Sequence, residues 1–174
     1  MGRPDTTATL SRLLESIIDP HNDPRIYLAK EVTFDYSTAH PIRVDYMRFK
    51  PLNNTVSGIE KGDFMCYEVK SSVEDFRSKN GHNLIGDYNY YVMPEAVYGE
   101  VKNLIPFYAG VLVEADGKLK RIKNARRRDR DRPASEMLLM MWRSSRRELV
   151  KMRRTKRQEG TNNGGVAQES NRGD

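Results

Sequence analysis

The stretch Cys66-Tyr67-Glu68-Val69-Lys70 sets a carboxylate and a lysine two residues apart, and Asp45 lies on the strand-like segment before it. Two carboxylates and a lysine converging at a sheet edge are what metal-assisted phosphodiester cleavage needs. Carboxylate oxygens suit a hard divalent cation such as Mg²⁺, with Mn²⁺ as a substitute, which keeps several waters and takes its remaining ligands from substrate phosphate. A cation held by Asp45 and Glu68 would polarise the phosphoryl group and lower the pKa of a bound water, and Lys70 would position that water or balance charge. An acid two residues before a lysine is also common on solvated charged faces. The elements around the triplet therefore decide its meaning.

A strand has period two, so Glu68 and Lys70 point to one side of a sheet and Tyr67 and Val69 to the other. Ile42 to Phe49 reads as the preceding strand. Pro51, Asn53, Asn54, Gly58 and Gly62 mark an irregular antiparallel connection between the two, which sets Asp45 beside Glu68. Upstream, Leu10, Leu13, Leu14, Ile17 and Ile18 have the spacing of an amphipathic helix, with Glu15 at the edge of the stripe. Asp19-Pro20 and Asp23-Pro24 end it. A strand follows from Ile26 to about Tyr36, carrying Glu31. After Lys70, Ser72 and Asp75 have the spacing of a helix N-cap and its reciprocal acid. Tyr88 to Met93, closed by Pro94, reads as a strand, Glu95 to Leu104 as a helix, and Tyr108 to Glu114 with Lys118 to Ile122 as a hairpin turning at Asp116-Gly117.

The order helix, three strands, helix, strand resembles the PD-(D/E)XK nuclease superfamily, whose αβββαβ core carries one acid on the second strand and an acid-any-lysine unit on the third. Asp45 matches the first acid, Glu68 the second and Lys70 the lysine; Val44 stands where the family's proline would be. A closer likeness is to small bacterial and phage-encoded members grouped with MmcB-like DNA-repair proteins. It rests on Arg43-Val44-Asp45, Glu68-Val69-Lys70-Ser71-Ser72, Asp75-Phe76 and Tyr90-Tyr91-Val92-Met93-Pro94. The resemblance spans about residues 8 to 125. It implies an α/β fold of the restriction-endonuclease-like kind, with a mixed central sheet flanked by helices, and a Mg²⁺-dependent deoxyribonuclease that uses Asp45, Glu68 and Lys70. Glu15 is the candidate for the additional acid many members carry, with Glu31 as its rival.

Composition fits one domain: 174 residues can bury a single core, and 37% are hydrophobic. No apolar run is long enough to cross a membrane, and the polar start with Pro4 and Asp5 argues against a secretory signal. A lone cysteine, Cys66, forms no internal disulfide and agrees with a reducing cytoplasm. Packing explains it better than zinc, which wants four ligands.

Charge is uneven. Between Lys118 and Arg157 lie 17 basic and four acidic residues, a net of +13, whereas residues 1–117 hold 12 basic and 17 acidic ones, a net of −5. Arg121, Lys123, Arg126, Arg127, Arg128 and Arg130, with Arg132 after them, crowd one segment in which guanidinium groups could fork onto phosphates; a solvated tether is the plainer alternative. Residues 126–157 read as a basic linker and a helix from Ala134 to about Lys156. Its apolar stripe of Met137, Leu138, Met141, Leu149 and Met152 serves the core or a dimer. Beyond Gln158 the composition reads as a disordered tail. His82 could approach substrate but is more simply a structural turn residue. Tyr88, Tyr90 and Tyr91 could stack on bases, although strand alternation assigns much of their area to the core.

Two functions follow. The first is a metal-dependent DNA nuclease, probing DNA structure or acting within a larger repair or phage complex, with dimerisation through the C-terminal helix if it cuts both strands. The second is a DNA-binding accessory that keeps the fold without cutting.

Overall fold

In the computed structural model, residues 3–163 are described, with side chains described for 5–157. The chain runs through α1 (Arg3–Ile18), β1 (Tyr27–Phe34), β2 (Ile42–Lys50), α2 (Val56–Glu60), β3 (Asp63–Val69), α3 (Val73–Arg77) and β4 (Tyr88–Pro94). It continues through α4 (Glu95–Val101, extended by a 3₁₀ turn Lys102–Leu104), β5 (Gly110–Ala115), β6 (Lys118–Lys123) and α5 (Ala134–Asn163). The helix, three strands, helix, strand order thus runs from α1 to β4. The addition is α2, within what the sequence shows as an irregular connection; Thr55 caps it by accepting the Gly58 N–H. The backbone of α5 carries on to Asn163, past the expected start of the tail; residues 164–174 lie outside the described residues.

The strands form one mixed sheet in the order β1-β2-β3-β4-β5-β6, with β3, β4 and β5 parallel and the other neighbours antiparallel. Alternation sorts the side chains between two covered faces. Tyr67, Val69, Tyr90 and Val92 pack with Leu10, Leu14 and Ile18 of α1, the i, i+4, i+8 positions of its stripe. On the opposite face, Tyr91 and Met93 pack with Phe76 of α3 and Val97 and Val101 of α4. On that same face, Cys66, Met47 and Phe49 meet Ala134, Met137 and Met141 of α5. Each fully buried side chain of this size contributes about 1.5–3 kcal/mol. Because both faces of β3 are covered, a charged residue at its C-terminal end, such as Glu68, is drawn into the interior.

The β1–β2 ladder contains a slip. Ala29 and Met47 form one register pair and Val32 and Val44 another, and all four belong to the α5-side cluster although three positions separate them along each strand. Strict alternation would put them on opposite faces. The change of phase falls at the skipped step of Glu31 and Asp45, where Glu31 takes φ +52°, a left-handed conformation that non-glycine residues rarely adopt. Register is preserved while the side chains around Asp45 are re-aimed.

At the other end of the parallel strands, Asp87 is fully buried and gathers the segment that leads to α5. Its Oδ2 accepts the Phe64 N–H at 2.9 Å, Arg130 Nη1 lies 2.8 Å from Oδ2, and Arg127 Nη2 lies 3.3 Å from Oδ1. The Asp87 carbonyl also accepts the Arg128 N–H, and Arg132 pairs with Asp35 at 2.6 Å and with Glu136. Residues 126–133 are therefore a strap tied to the body of the protein. Removing a charge from such a buried network leaves Arg130 and the Phe64 N–H without their partner. Asp87→Ala is expected to cost about 3–5 kcal/mol, measured by urea unfolding.

Candidate functional site

Asp45 and Glu68 lie on antiparallel neighbours one step beyond the last paired residues, Tyr46 and Tyr67. Where the ladder stops, the Asp45 side chain takes over: its Oδ2 accepts the Val69 N–H at 2.9 Å. This bond holds the half-buried Asp45 against the end of β3. Burial raises its pKa, the Val69 N–H opposes that rise, and the Glu31 charge adds to it.

Glu68 is fully buried, and neither of its carboxylate oxygens has a hydrogen-bond partner among the described residues. Burial first, then the charge of Asp45, pushes its pKa up to about 9. The Lys70 ammonium opposes this, as more weakly do the Asn83 backbone amide, which approaches without closing a hydrogen bond, and Arg43. Unpaired buried carboxylates are rare because the charged form is so poorly solvated. Lys70 is buried as well; its Nζ donates to the Asn80 carbonyl at 2.7 Å.

Local sequence explains why the chain turns here. Ser72 caps α3 by accepting the Asp75 N–H, and the Asp75 carboxylate reaches back to the Ser71 N–H at 3.1 Å. The reciprocal contact expected at the cap thus falls one residue earlier. After α3, the loop from Ser78 to Asp87 folds back over β3. Gly81, at φ +67°, comes so close that a Cβ there would lie 2.7 Å from Lys70 Nζ and 3.1 Å from Glu68 Oε2. Asn83 fastens the loop by donating to the Arg43 carbonyl at 2.8 Å. His82 fastens it too: Nε2 faces the carbonyls of Phe76 and Ser78 and so carries the proton, which leaves Nδ1 to accept from the Tyr91 hydroxyl at 2.7 Å. His82 is a structural brace. Tyr90 and Tyr91 are buried, with Tyr90 stacked on Tyr67, so their rings serve the core.

A cleft of about 300 Å³ opens beside these groups, with Glu31, Arg43, Asp45 and Lys70 among its walls. Glu15 stands behind the cleft wall, bonded to two of its lining residues, Lys30 and Tyr46. Burial raises its pKa, but hydrogen bonds from Lys30 and Tyr46 outweigh that and leave it lowered; Lys30 Nζ stands 2.6 Å from Oε1 and the Tyr46 hydroxyl 2.7 Å. Of the two acids considered beside the pair, Glu31 is the one at the cleft, although its carboxylate meets Arg43 at 3.0 Å. Among the described residues no group of three or more His, Cys, Asp or Glu side chains is arranged to hold a metal ion.

The expected phosphate-binding residues are held in different ways. Arg130 and Arg127 share Asp87, at the far end of β3, about 16 Å of extended strand from Val69, and the half-exposed Arg127 also pairs with Asp63. Lys123 donates to the Pro106 carbonyl, Arg128 lies over the Tyr108 ring, and Arg126 and Arg121 lie over Phe107 and Tyr90. Arg121 and Arg126 stay exposed, Arg121 on the edge strand β6, three strands across the sheet from Val69. The crowding of arginines registers a structural strap, a distinction that charge counting does not make.

No family model matches the chain, and no curated protein matches it. Among solved structures, the SPO1766 protein of unknown function from Silicibacter pomeroyi is similar in fold: TM-score 0.57 at 16% identity, over 92% of this chain and 95% of that one.

Two outcomes follow from the geometry. From its ordinary value of 4.5 up to about 9, Glu68 keeps a proton in the folded chain that the unfolded chain has lost. Stability therefore falls as pH rises through that window and levels off above it. Glu68→Gln should flatten this part of the slope and be more stable than the wild type at pH of about 8 by at least about 1 kcal/mol, read from thermal melts in EDTA. Gly81→Ala, strained at its positive φ, should cost about 1–3 kcal/mol in the same melts.

Proposed function

We propose that this protein is a metal-dependent DNA nuclease of the PD-(D/E)XK kind, hydrolysing phosphodiester bonds, with Asp45 and Glu68 holding Mg²⁺ or Mn²⁺ and Lys70 beside them. The observation that carries this reading is Glu68: a buried carboxylate with two unpartnered oxygens, next to a second carboxylate that raises its pKa further. Folding gains nothing from a buried acid that must keep its proton beside a second carboxylate, whereas a cation would satisfy both. The donors fit a hard divalent ion in kind, being carboxylate oxygens: Asp45 stands in the wall of the cleft and Glu68 lies buried beside it. When bound, such an ion supplies charge for the phosphoryl group and a more acidic water. The element order from α1 to β4, with the acids on the second and third strands, supports the same reading.

The chain's own residues would divide the work. Asp45, fixed by the Val69 N–H, gives a carboxylate of set direction. Glu68 must shed a proton to bind a cation. Lys70 is oriented by the Asn80 carbonyl and can orient a water or counter the charge that develops on phosphate. Burial of all these groups strengthens each interaction relative to water.

One observation favours the second reading, a DNA-binding accessory without cleavage. Glu68 lies wholly covered by the loop around Gly81, and it does not line the open cleft.

Purified protein incubated with single-stranded, duplex and branched DNA in Mg²⁺, Mn²⁺ or EDTA separates the two. The nuclease reading expects cleavage only with metal, and a loss of at least about a hundredfold in Asp45→Ala, Glu68→Ala and Lys70→Ala. Binding without cleavage by any form would make the accessory reading the better one. Because Glu68 must ionise, metal binding followed by calorimetry should tighten as pH rises toward about 9 and release a proton.

A further inference from the structure

Past Ser144, α5 leaves the core behind and holds seven basic residues against one acid up to Arg157. Its first turns are used in packing, through Ala134, Met137 and Met141. From Arg143 onward it runs beside the end of β1, and the two enclose a groove of about 800 Å³. Five of the side chains on its walls are Arg or Lys and none is Asp or Glu. Lys151 pairs with Glu148 at 2.8 Å. Arg143, Arg146, Arg147 and Arg154 have no ion pair among the described residues, in contrast to Arg127, Arg130 and Arg132 of the strap. Two aromatic rings border the same groove: Tyr36, with the Arg143 guanidinium 4.0 Å from its ring centre, and Trp142, which is 71% exposed.

We propose that this groove binds single-stranded nucleic acid, the arginines taking the phosphates and Tyr36 and Trp142 stacking on unpaired bases. A row of guanidinium groups without carboxylate partners among the described residues calls for a polyanion, and exposed rings beside them add the sequence-tolerant stacking that single strands offer and duplexes withhold. A bilayer surface fits less well. At 3.6 residues per turn the basic residues beyond Ser144 cover more than half of the helix circumference, Leu149 and Val150 fall among them, and Met152 shares the remaining arc with Ser145, Glu148 and Thr155, so no continuous apolar face is left to insert.

The groove also stands in a fixed relation to the carboxylate cleft. Arg147 Nη2 donates to the Glu31 carbonyl at 2.6 Å, while the Glu31 side chain is in the wall of the cleft with Asp45. A strand lying along α5 would thus meet the edge strand that also carries one wall of the cleft. Only this last step rests on the nuclease reading.

Trp142 is the chain's single tryptophan, so its fluorescence reports on the groove directly. The full chain is titrated in EDTA with an oligothymidylate of about 20 nucleotides, with the matching duplex, and with phosphatidylcholine vesicles containing phosphatidylserine. The expected result is quenching by the single strand and an affinity that falls steeply with salt. The double variant R146E/R154E, shown by its thermal melt to be folded, should bind at least tenfold more weakly, with a salt dependence shallower by about two phosphate contacts. R121E/R126E, on the other side of the sheet, should stay within threefold of the wild type. The proposal fails if the wild type does not bind, if R146E/R154E keeps its affinity, or if the duplex binds as tightly with Trp142 unaffected. It fails equally if vesicles shift the emission to the blue while the oligonucleotide does nothing. Because no metal is present, binding without later cleavage removes the nuclease reading and leaves the groove standing, whereas cleavage without binding at the groove does the reverse.

Discussion

The burial of strand β3 on both faces is the constraint from which the other features follow. A strand at the centre of a sheet, with α1 on one side and α5, α3 and α4 on the other, has no solvated face on which to place a charge. Yet it ends in Glu68 and Lys70, both buried. Each is handled differently. The ammonium finds a backbone carbonyl at Asn80. The carboxylate finds nothing, and its answer in the absence of a partner is to keep its proton, since an isolated ion in such surroundings is far costlier than a neutral acid. Only a strong partner such as an opposite charge beside Glu68 would draw that proton off.

The two ends of the sheet solve the same problem in opposite ways. Asp87 is as deeply buried as Glu68, but it has the Phe64 N–H and two arginines around it. Its charge is spent on structure, closing the strap over the ends of β3 and β4. A buried carboxylate with every oxygen satisfied is a tie, and one with none is a vacancy in the physical sense of unmet bonding capacity. The contrast within one chain, between residues on the same sheet, makes the second harder to read as ordinary packing.

Much of this was legible in the sequence. Period-two patterning set Tyr67 and Val69 apart from Glu68, and the helical spacing of Leu10, Leu14 and Ile18 identified the face that covers them. Ser72 announced the start of α3. These signals are local, and local physics enforces them. What sequence patterning could not give depends on distant partners. Arg127 and Arg130 have the same composition signal as Arg146 and Arg154, and only the position of Asp87, some 40 residues away along the chain, separates a strap from a free basic surface. Glu15 and Glu31 were likewise indistinguishable until Lys30 and Tyr46 were seen to occupy Glu15. The left-handed turn at Glu31 carries no glycine to betray it.

That turn links the parts of the molecule that carry chemistry. β1 is an edge strand, and an edge exposes acceptors that must be covered or left to water. Ser144 and Arg147 cover two of them, the carbonyls of Lys30 and Glu31, so α5 is moored at the step where alternation slips. The same slip re-aims the strand pair around Asp45, which is then caught by Val69. A single irregularity thus fixes both the direction of the carboxylate and the course of the basic helix beside it. Straightening it would turn Val32 and Val44 out of the core they share with Met137 and release both at once. The strain of one non-glycine residue at positive φ, about 1–3 kcal/mol, is small against that burial, which is why the kink persists without a glycine.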